Sequence, residues 1–106
     1  MFTMYNTLPE FFWLTNYFET LLSTTIWMPC NSATIAKQYR KILDVYAKET
    51  SNIPEFVDWQ GHDFSMRGMA GLESAVLSAS GHLLSFTGTD TIPAIDFLEE
   101  YYNANS

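Results

Sequence analysis

The chain has 106 residues, with twelve acidic and five basic side chains, a net charge of −7, and charged residues making up only 16% of the sequence. This length suits one small domain with a modest core. The acidic balance excludes a broad surface for a nucleic-acid backbone, which requires clustered Lys and Arg. Only Lys37, Arg40 and Lys41 lie close together, and their spacing predicts the solvated face of a helix.

The surface composition predicts a partner. Aromatic residues reach 16%, so few polar side chains remain to cover the exterior, and we expect part of it to face another chain or another part of the same fold. An ordinary but aromatic-rich domain is the alternative. The single Cys30 cannot form an internal disulfide, which suits a reducing cytoplasm. The first ionisable side chain is Glu10, and polar residues interrupt the amino-terminal apolar stretch, so neither a secretory leader nor a membrane span is expected.

Two helices are predicted in the first half. Apolar residues recur every three or four positions over residues 8–26, and Thr7 with Glu10 resembles a capping box. Pro29 should end this helix. A second helix, capped by Asn31 or Ser32, should run to residues 51–54, where Pro54 interrupts it.

The second half predicts alternating strands and helices. Residues 56–59 and 83–86 are short apolar runs that favour strands, a helix is expected after Gly71, and Asp90 or Thr91 can cap a last helix with Pro93 in its first turn. This order predicts an α/β fold. The chain is interpreted as a single fragment, residues 1–106, with a mainly helical segment (1–53) and two βα units (54–106).

Two short strings follow the predicted strands, where α/β proteins bind ligands. They are residues 62–68, His-Asp-Phe-Ser-Met-Arg-Gly, and residues 88–91, Gly-Thr-Asp-Thr. The ring of Phe64 can stack on a planar ligand and the guanidinium of Arg67 can hold a phosphate-type anion, although such a pair is more often packing plus a surface charge. His82, Glu73 and Asp63 lack a recognised metal-ligand spacing, and His82 is better explained as a packed residue.

The strings together resemble the nicotinamide phosphoribosyltransferase family. The matching residues are His-Asp-Phe-x-x-Arg-Gly, Glu73, Ala79-Ser80-x-His82-Leu83, Phe86 and Gly-Thr-Asp-Thr, with further likeness upstream, so that residues 11–102 are covered. The resemblance implies a partial (β/α) barrel of the type II phosphoribosyltransferase kind. It also implies a glycosyltransferase of pyridine nucleotide biosynthesis and NAD salvage, which joins nicotinamide to 5-phosphoribosyl-1-diphosphate and releases nicotinamide mononucleotide and diphosphate.

The resemblance also assigns roles to four residues. Phe64 is expected to stack on the nicotinamide ring, Asp90 to accept a hydrogen bond from the carboxamide, Arg67 to contact the diphosphate, and His62 to line the tunnel. The family's catalytic His and its phosphate loops have no counterpart here, so no catalytic residue is assigned and the isolated chain is expected to be inactive. Mg²⁺ and ATP are implied as cofactors, and a homodimer or the remainder of the enzyme as partner, but no residue in this chain is assigned to bind either cofactor.

Asp90 also bears on substrate choice. An ionised carboxylate only accepts hydrogen bonds, so it suits the amide of nicotinamide and repels the carboxylate of nicotinate. Nicotinate phosphoribosyltransferase is therefore the weaker alternative. A non-catalytic remnant that binds a full-length enzyme is another alternative, and a simple helix cap remains open for Asp90.

Overall fold

A computed structural model describes residues 2–105, most of which are helical. The helices are α1 (Leu14–Leu22), α2 (Met28–Thr50), α3 (Val57–Gln60), α4 (Ser65–Gly68), α5 (Leu72–His82) and α6 (Ile92–Tyr102). Short 3₁₀ turns occupy Pro9–Phe11 and Pro54–Phe56, and a π-helical turn, Ser23–Trp27, joins α1 to α2. Within residues 2–105, no helix is long and apolar enough to cross a membrane.

The predicted α/β fold is wrong, because the described part of the chain contains no strand. Residues 56–59 lie in helical turns that continue into α3, and residues 83–85 form turns after α5, with Phe86 directly after them. The amides of Ser85 and Phe86 donate back to the carbonyl of His82, at 3.1 and 3.2 Å, so they need no neighbouring strand. A four-residue apolar run has no periodicity that separates strand from helix. The two βα units, and with them the partial (β/α) barrel, are therefore not observed.

The first two predicted helices form one nearly continuous rod. Pro29 does not end it, since this residue sits in the first turn of α2, directly after the π-helical turn. A π-helical turn shifts the hydrogen-bond register and so accommodates a residue that has no N–H to donate. The hydroxyls of Thr24 and Thr25 each donate to the carbonyl of Leu21 at 2.9 Å, which satisfies that carbonyl at the shift.

Other boundaries were predicted with mixed success. Helix α2 ends at Thr50 and α6 begins with Pro93 in its first turn, both as expected. The capping box is absent from the described residues, where Asn6 instead bonds the amide and carbonyl of Leu8 at 3.1 and 2.6 Å. Ser32 lies inside α2 and donates to the carbonyl of Ser78 on α5 at 2.6 Å, so it joins two helices rather than starting one.

The core lies where α2, α5 and the residues after α5 meet. Helix α5 packs along α2, and Gly81 permits the approach, because a β-carbon there would overlap the backbone of Pro29. A buried cluster between α2, α3 and the residues after α5 contains Ala36, Ala47, Val57 and Phe86, with Leu43 and Phe56 packed against it. This core holds the two segments that contain residues 62–68 and 88–91.

Candidate functional site

The two strings lie side by side. The amide of Asp63 donates to the carbonyl of Gly88 at 3.0 Å, and the amide of Asp90 donates to the carbonyl of Asp63 at 2.9 Å. These bonds form an isolated parallel bridge between Asp63 and Thr89. Because main-chain pairing sets the spacing of the flanking side chains, residues from both strings are brought to one place.

The side chain of Asp63 joins the strings a second time. It is only 7% exposed, and its Oδ1 accepts from the amide of Ser65 at 3.1 Å while Oδ2 accepts from the hydroxyl of Thr89 at 2.7 Å. The Thr89 oxygen in turn accepts from the amide of Thr91 at 2.9 Å. Burial raises the pKa of Asp63, but hydrogen bonds from Thr89, Ser65 and Thr91 outweigh it and lower the pKa below the usual 3.8. Asp63 is therefore a buried carboxylate that stays ionised.

No functional role was predicted for Asp63 from the sequence. The Asp-x-Ser spacing is typical of an Asx turn, which signals the bond to the Ser65 amide. The bond to Thr89 joins residues 26 positions apart. The sequence pattern around either residue therefore does not predict this contact.

The four predicted site residues converge beside this bridge. Nε2 of His62 lies 2.8 Å from Oδ1 of Asp90, and Nη2 of Arg67 lies 3.9 Å from Oδ2 of the same carboxylate. The rings of His62 and Phe64 have their centroids 4.5 Å apart and are tilted by 49°. Asp90 is thus flanked by two donor side chains, with an aromatic ring next to one of them.

Two of these side chains are open to a ligand. The ring of Phe64 is 57% exposed and the side chain of Arg67 is 81% exposed, so a planar molecule can reach the ring and an anion can reach the guanidinium. Each oxygen of Asp90 has two lone pairs, so the carboxylate can accept from a ligand while it bonds His62. The helix-cap alternative for Asp90 is not observed, since the N-cap of α6 is Thr91 and Asp90 faces His62.

Gly88 allows the close approach of the two strings. A β-carbon at this position would lie 2.5 Å from Nδ1 of His62, well inside van der Waals contact. Any larger residue would push the imidazole away from its place beside Asp90. Gly88 is therefore required for His62 to lie beside Asp90.

Arg40 anchors the region from the opposite side. Its Nη1 lies 2.5 Å from Oδ1 of Asp58 and donates to the carbonyl of Ser85 at 2.7 Å, and its Nε bonds Asp44 at 3.2 Å. Burial lowers the pKa of Arg40, but the hydrogen bonds with Asp58 and Asp44 outweigh it, so the pKa of the guanidinium is raised above its ordinary value. Arg40 was predicted to lie on a solvated helix face, whereas it links α2 to the segments that lead into both strings.

Two further contacts join those segments. The amide and hydroxyl of Thr87 donate to the carbonyl of Asp58 at 3.1 and 3.0 Å. Nε2 of His82 bonds the carbonyl of Gly61, and its ring stacks on Phe86 with centroids 4.8 Å apart. The interpretation of His82 as a packed residue therefore agrees with the structure.

Magnesium is one of the cofactors implied by the resemblance, and carboxylate clusters are the sites to examine for it. Among residues 2–105, no cluster of three or more His, Cys, Asp or Glu side chains could hold a metal ion. The carboxylate of Asp63 is already engaged by protein donors, which removes the best-buried candidate ligand.

Several curated proteins similar to this chain have the name nicotinamide phosphoribosyltransferase. The protein from Acinetobacter baylyi is 52% identical over 103 residues, covering 97% of this chain and 20% of the relative. The one from Mycoplasma genitalium is 51% identical over 83 residues (78% and 18%), and that from Xanthomonas campestris pv. campestris is 36% identical over 104 residues (97% and 22%). No protein-family model matches. The resemblance is confirmed, and the chain spans about one fifth of the length of these relatives.

Proposed function

Because the chain is homologous to one segment of the nicotinamide phosphoribosyltransferases, we propose that it forms the nicotinamide-recognition part of such an enzyme. In the proposed reaction, the ring nitrogen of nicotinamide forms a bond to C1 of the ribosyl group of 5-phosphoribosyl-1-diphosphate. The bond from C1 to the diphosphate oxygen breaks, and its electron pair leaves with diphosphate. The products are nicotinamide mononucleotide and diphosphate.

The convergence of Phe64, His62 and Asp90 carries this proposal. Nicotinamide is a planar ring with an amide NH₂, so it needs an aromatic face and a hydrogen-bond acceptor close to each other. The exposed ring of Phe64 supplies the face and the carboxylate of Asp90 supplies the acceptor. His62 holds Oδ1 of Asp90 at 2.8 Å, which limits the movement of the acceptor. Such fixed donor and acceptor groups orient a ligand at low entropic cost.

Arg67 is proposed to contact the diphosphate of the ribosyl donor. Its guanidinium is largely exposed and lies 3.9 Å from Asp90, a distance too long for a strong hydrogen bond. The side chain is therefore available to an anionic group. Stabilising the charge that develops on a leaving diphosphate is the contribution that a cation makes to such a displacement.

Asp90 favours the amide over the acid as substrate. The carboxylate of nicotinate would lie against the carboxylate of Asp90, and this like-charge contact costs free energy unless one group is protonated. Discrimination at a buried polar contact reaches about 10⁴-fold. Asp90 is only partly buried, so we expect a smaller ratio.

A partner is also part of the proposal. Many large apolar side chains of the first 27 residues are exposed, among them Phe2, Tyr5, Phe12, Trp13, Tyr17 and Trp27. A surface of this kind is typical of a protein interface. Further polypeptide of the enzyme, or a second copy in a homodimer, would cover it, and we propose the cytoplasm as the compartment because the single Cys30 is a free thiol.

A chimeric enzyme tests the function. The 103 matched residues of the Acinetobacter baylyi relative are replaced with those of this chain, and formation of nicotinamide mononucleotide is measured alongside the parent enzyme and the isolated chain. We expect the chimera to turn over and the isolated chain to be inactive. A folded but inactive chimera next to an active parent would contradict the proposal.

Variants of the chimera test the role of Asp90. Asp90→Ser removes the charge and should shift preference from nicotinamide toward nicotinate, because the repulsion is lost. Asp96→Asn is the matched control, since Asp96 is an exposed acid on α6 outside the two strings. Unchanged preference in Asp90→Ser would refute the role of Asp90.

A further inference from the structure

The buried carboxylate of Asp63 lies between the two residues that are proposed to recognise the ligand. The next residue, Phe64, provides the aromatic ring. The main-chain carbonyl of Asp63 accepts from the amide of Asp90 at 2.9 Å. The side chain of Asp63 is buried, and its two oxygens accept from Ser65 and Thr89. Asp63 is therefore connected both to Phe64 and to Asp90. Its own carboxylate is already hydrogen-bonded within the protein and is not free to bind the ligand.

We propose that Asp63 is a positioning residue, which sets the distance between the ring of Phe64 and the carboxylate of Asp90 and so the affinity for nicotinamide. The inference rests on the proposed function. In this role Asp63 makes no contact with the substrate. It acts on the loop of Phe64 through the amide of Ser65, and on the segment of Asp90 through the hydroxyl of Thr89.

The hydrogen-bond pattern requires a carboxylate. The amide of Ser65 and the hydroxyl of Thr89 both donate to Asp63, and the oxygen of Thr89 already accepts from the amide of Thr91 at 2.9 Å, so the Thr89 proton points at Asp63. Asparagine offers one acceptor and one donor. In either orientation of its amide, one of the two donors loses its acceptor, and an unsatisfied buried donor destabilises the local structure.

Thr91 extends the same network toward α6. It is fully buried, and its hydroxyl lies 3.4 Å from that of Ser65. The network therefore spans the loop of the first string, both residues flanking Asp90, and the start of the last helix. Among residues 2–105, every buried side-chain nitrogen or oxygen has a hydrogen-bond partner. No unpaired buried side-chain acceptor is therefore present to replace one that a substitution removes.

The first test uses the complete 106-residue chain and no ligand. Amide hydrogen exchange and ring-to-ring nuclear Overhauser effects are measured by NMR for Asp63→Asn, Thr89→Val and Thr89→Ser, with Asp96→Asn as the control for loss of one charge. In Asp63→Asn and Thr89→Val we expect the Asp90 amide to exchange about tenfold faster and the contacts between the rings of His62 and Phe64 to weaken. Thr89→Ser retains the hydroxyl and should behave as the unmodified chain.

The amide of Leu83 separates positioning from general stability. It donates to the carbonyl of Ala79 at 2.9 Å at the end of α5, outside the network. Its exchange should stay unchanged in Asp63→Asn. Equal acceleration at Leu83 and Asp90, or unchanged exchange at Asp90, overturns the inference, whether or not the chain binds nicotinamide.

The second test measures kinetics in the chimeric enzyme. Asp63→Asn should raise the KM for nicotinamide by about tenfold, equivalent to about 1.4 kcal/mol of binding free energy, with little change in kcat. The double variant Asp63→Asn/Thr89→Val should raise the KM by less than the product of the two single effects, because the two residues share the contact between Asp63 and Thr89. If the chimera is active and its KM does not change in Asp63→Asn, the positioning role is refuted, whereas the proposed function is not. An inactive chimera refutes the function, and the exchange experiment then decides on Asp63.

Discussion

Two regions of the molecule differ in how they are stabilised. One is the site end, residues 57–91, and the other is the amino-terminal arm, residues 8–27. The site end contains the buried side chains of Val57, Asp63 and Phe86, and its loops are joined by hydrogen bonds between residues far apart in sequence. Every residue of the arm is at least partly exposed. A polar network on a small core therefore holds the site end together, whereas the arm has no buried residue.

The overall dimensions reflect the same contrast. The molecule measures 63 × 27 × 26 Å, with a radius of gyration of 17.5 Å, whereas a compact domain of this size has a radius of about 13 Å. The arm extends the molecule and holds its shape mainly through the continuous helical rod of α1, the π-helical turn and α2. Substitutions should consequently cost much more at the site end than in the arm.

Phe86→Ala should have the largest effect. The side chain is 2% exposed and contacts the rings of Tyr39 and His82, so its loss should lower the free energy of unfolding by about 3–5 kcal/mol. Phe12→Ala is the matched control in the arm, where the ring is 78% exposed and a change within about 0.5 kcal/mol is expected. Urea denaturation measures both. Equal losses would remove the distinction between the two regions.

Arg40→Met should have the next largest effect. It keeps much of the apolar stem but leaves Asp58 and the carbonyl of Ser85 without their donor, which should cost about 1–2 kcal/mol in urea denaturation. Lys41→Met, on the exposed side of the same helix, should be close to neutral. If the two substitutions cost the same, Arg40 does not anchor the site end.

The glycine pair Gly88 and Gly68 gives a smaller and more local contrast. Gly88→Ala would displace His62, and because that ring is partly exposed and can rotate, the loss of stability should stay near 1 kcal/mol. Gly68→Ala meets open space in α4 and should be neutral or stabilising by about 0.5 kcal/mol. NMR contacts between His62 and Phe64 should disappear only in Gly88→Ala, and their persistence there would contradict the close-approach argument.

Acid should weaken the site end through Asp63. The folded state lowers the pKa of this carboxyl below 3.8, so its contribution to stability is fully present above that value and is lost as pH falls through the lower, folded pKa. Urea denaturation between pH 6 and pH 2 should therefore show a fall in stability near and below pH 3.8 that is smaller in Asp63→Asn. Asp96→Asn should keep the fall of the unmodified chain.

Local pattern predicted those elements that depend on residues near one another. Helices α5 and α6 and the end of α2 follow from apolar periodicity, from Pro93 and from Pro54, whereas the roles of the four site residues come from the family resemblance and stay predictions. Residues 56–59 and 83–86 were wrongly predicted as strands, because four apolar residues suit either state and the choice depends on what their amides bond. Pro29 was misjudged for a similar reason, since the π-helical turn before it absorbs the missing donor.

The sequence alone determined the family resemblance, the acidic surface, the helical periodicity and the identity of the side chains that meet at Asp90. Only the tertiary structure decided that Asp63 and Arg40 hold those side chains in place and that Gly88 leaves room for His62. The physical reason is sequence separation. A bond between Asp63 and Thr89 or between Arg40 and Asp58 forms only after the chain has brought distant segments together, so no local pattern encodes it.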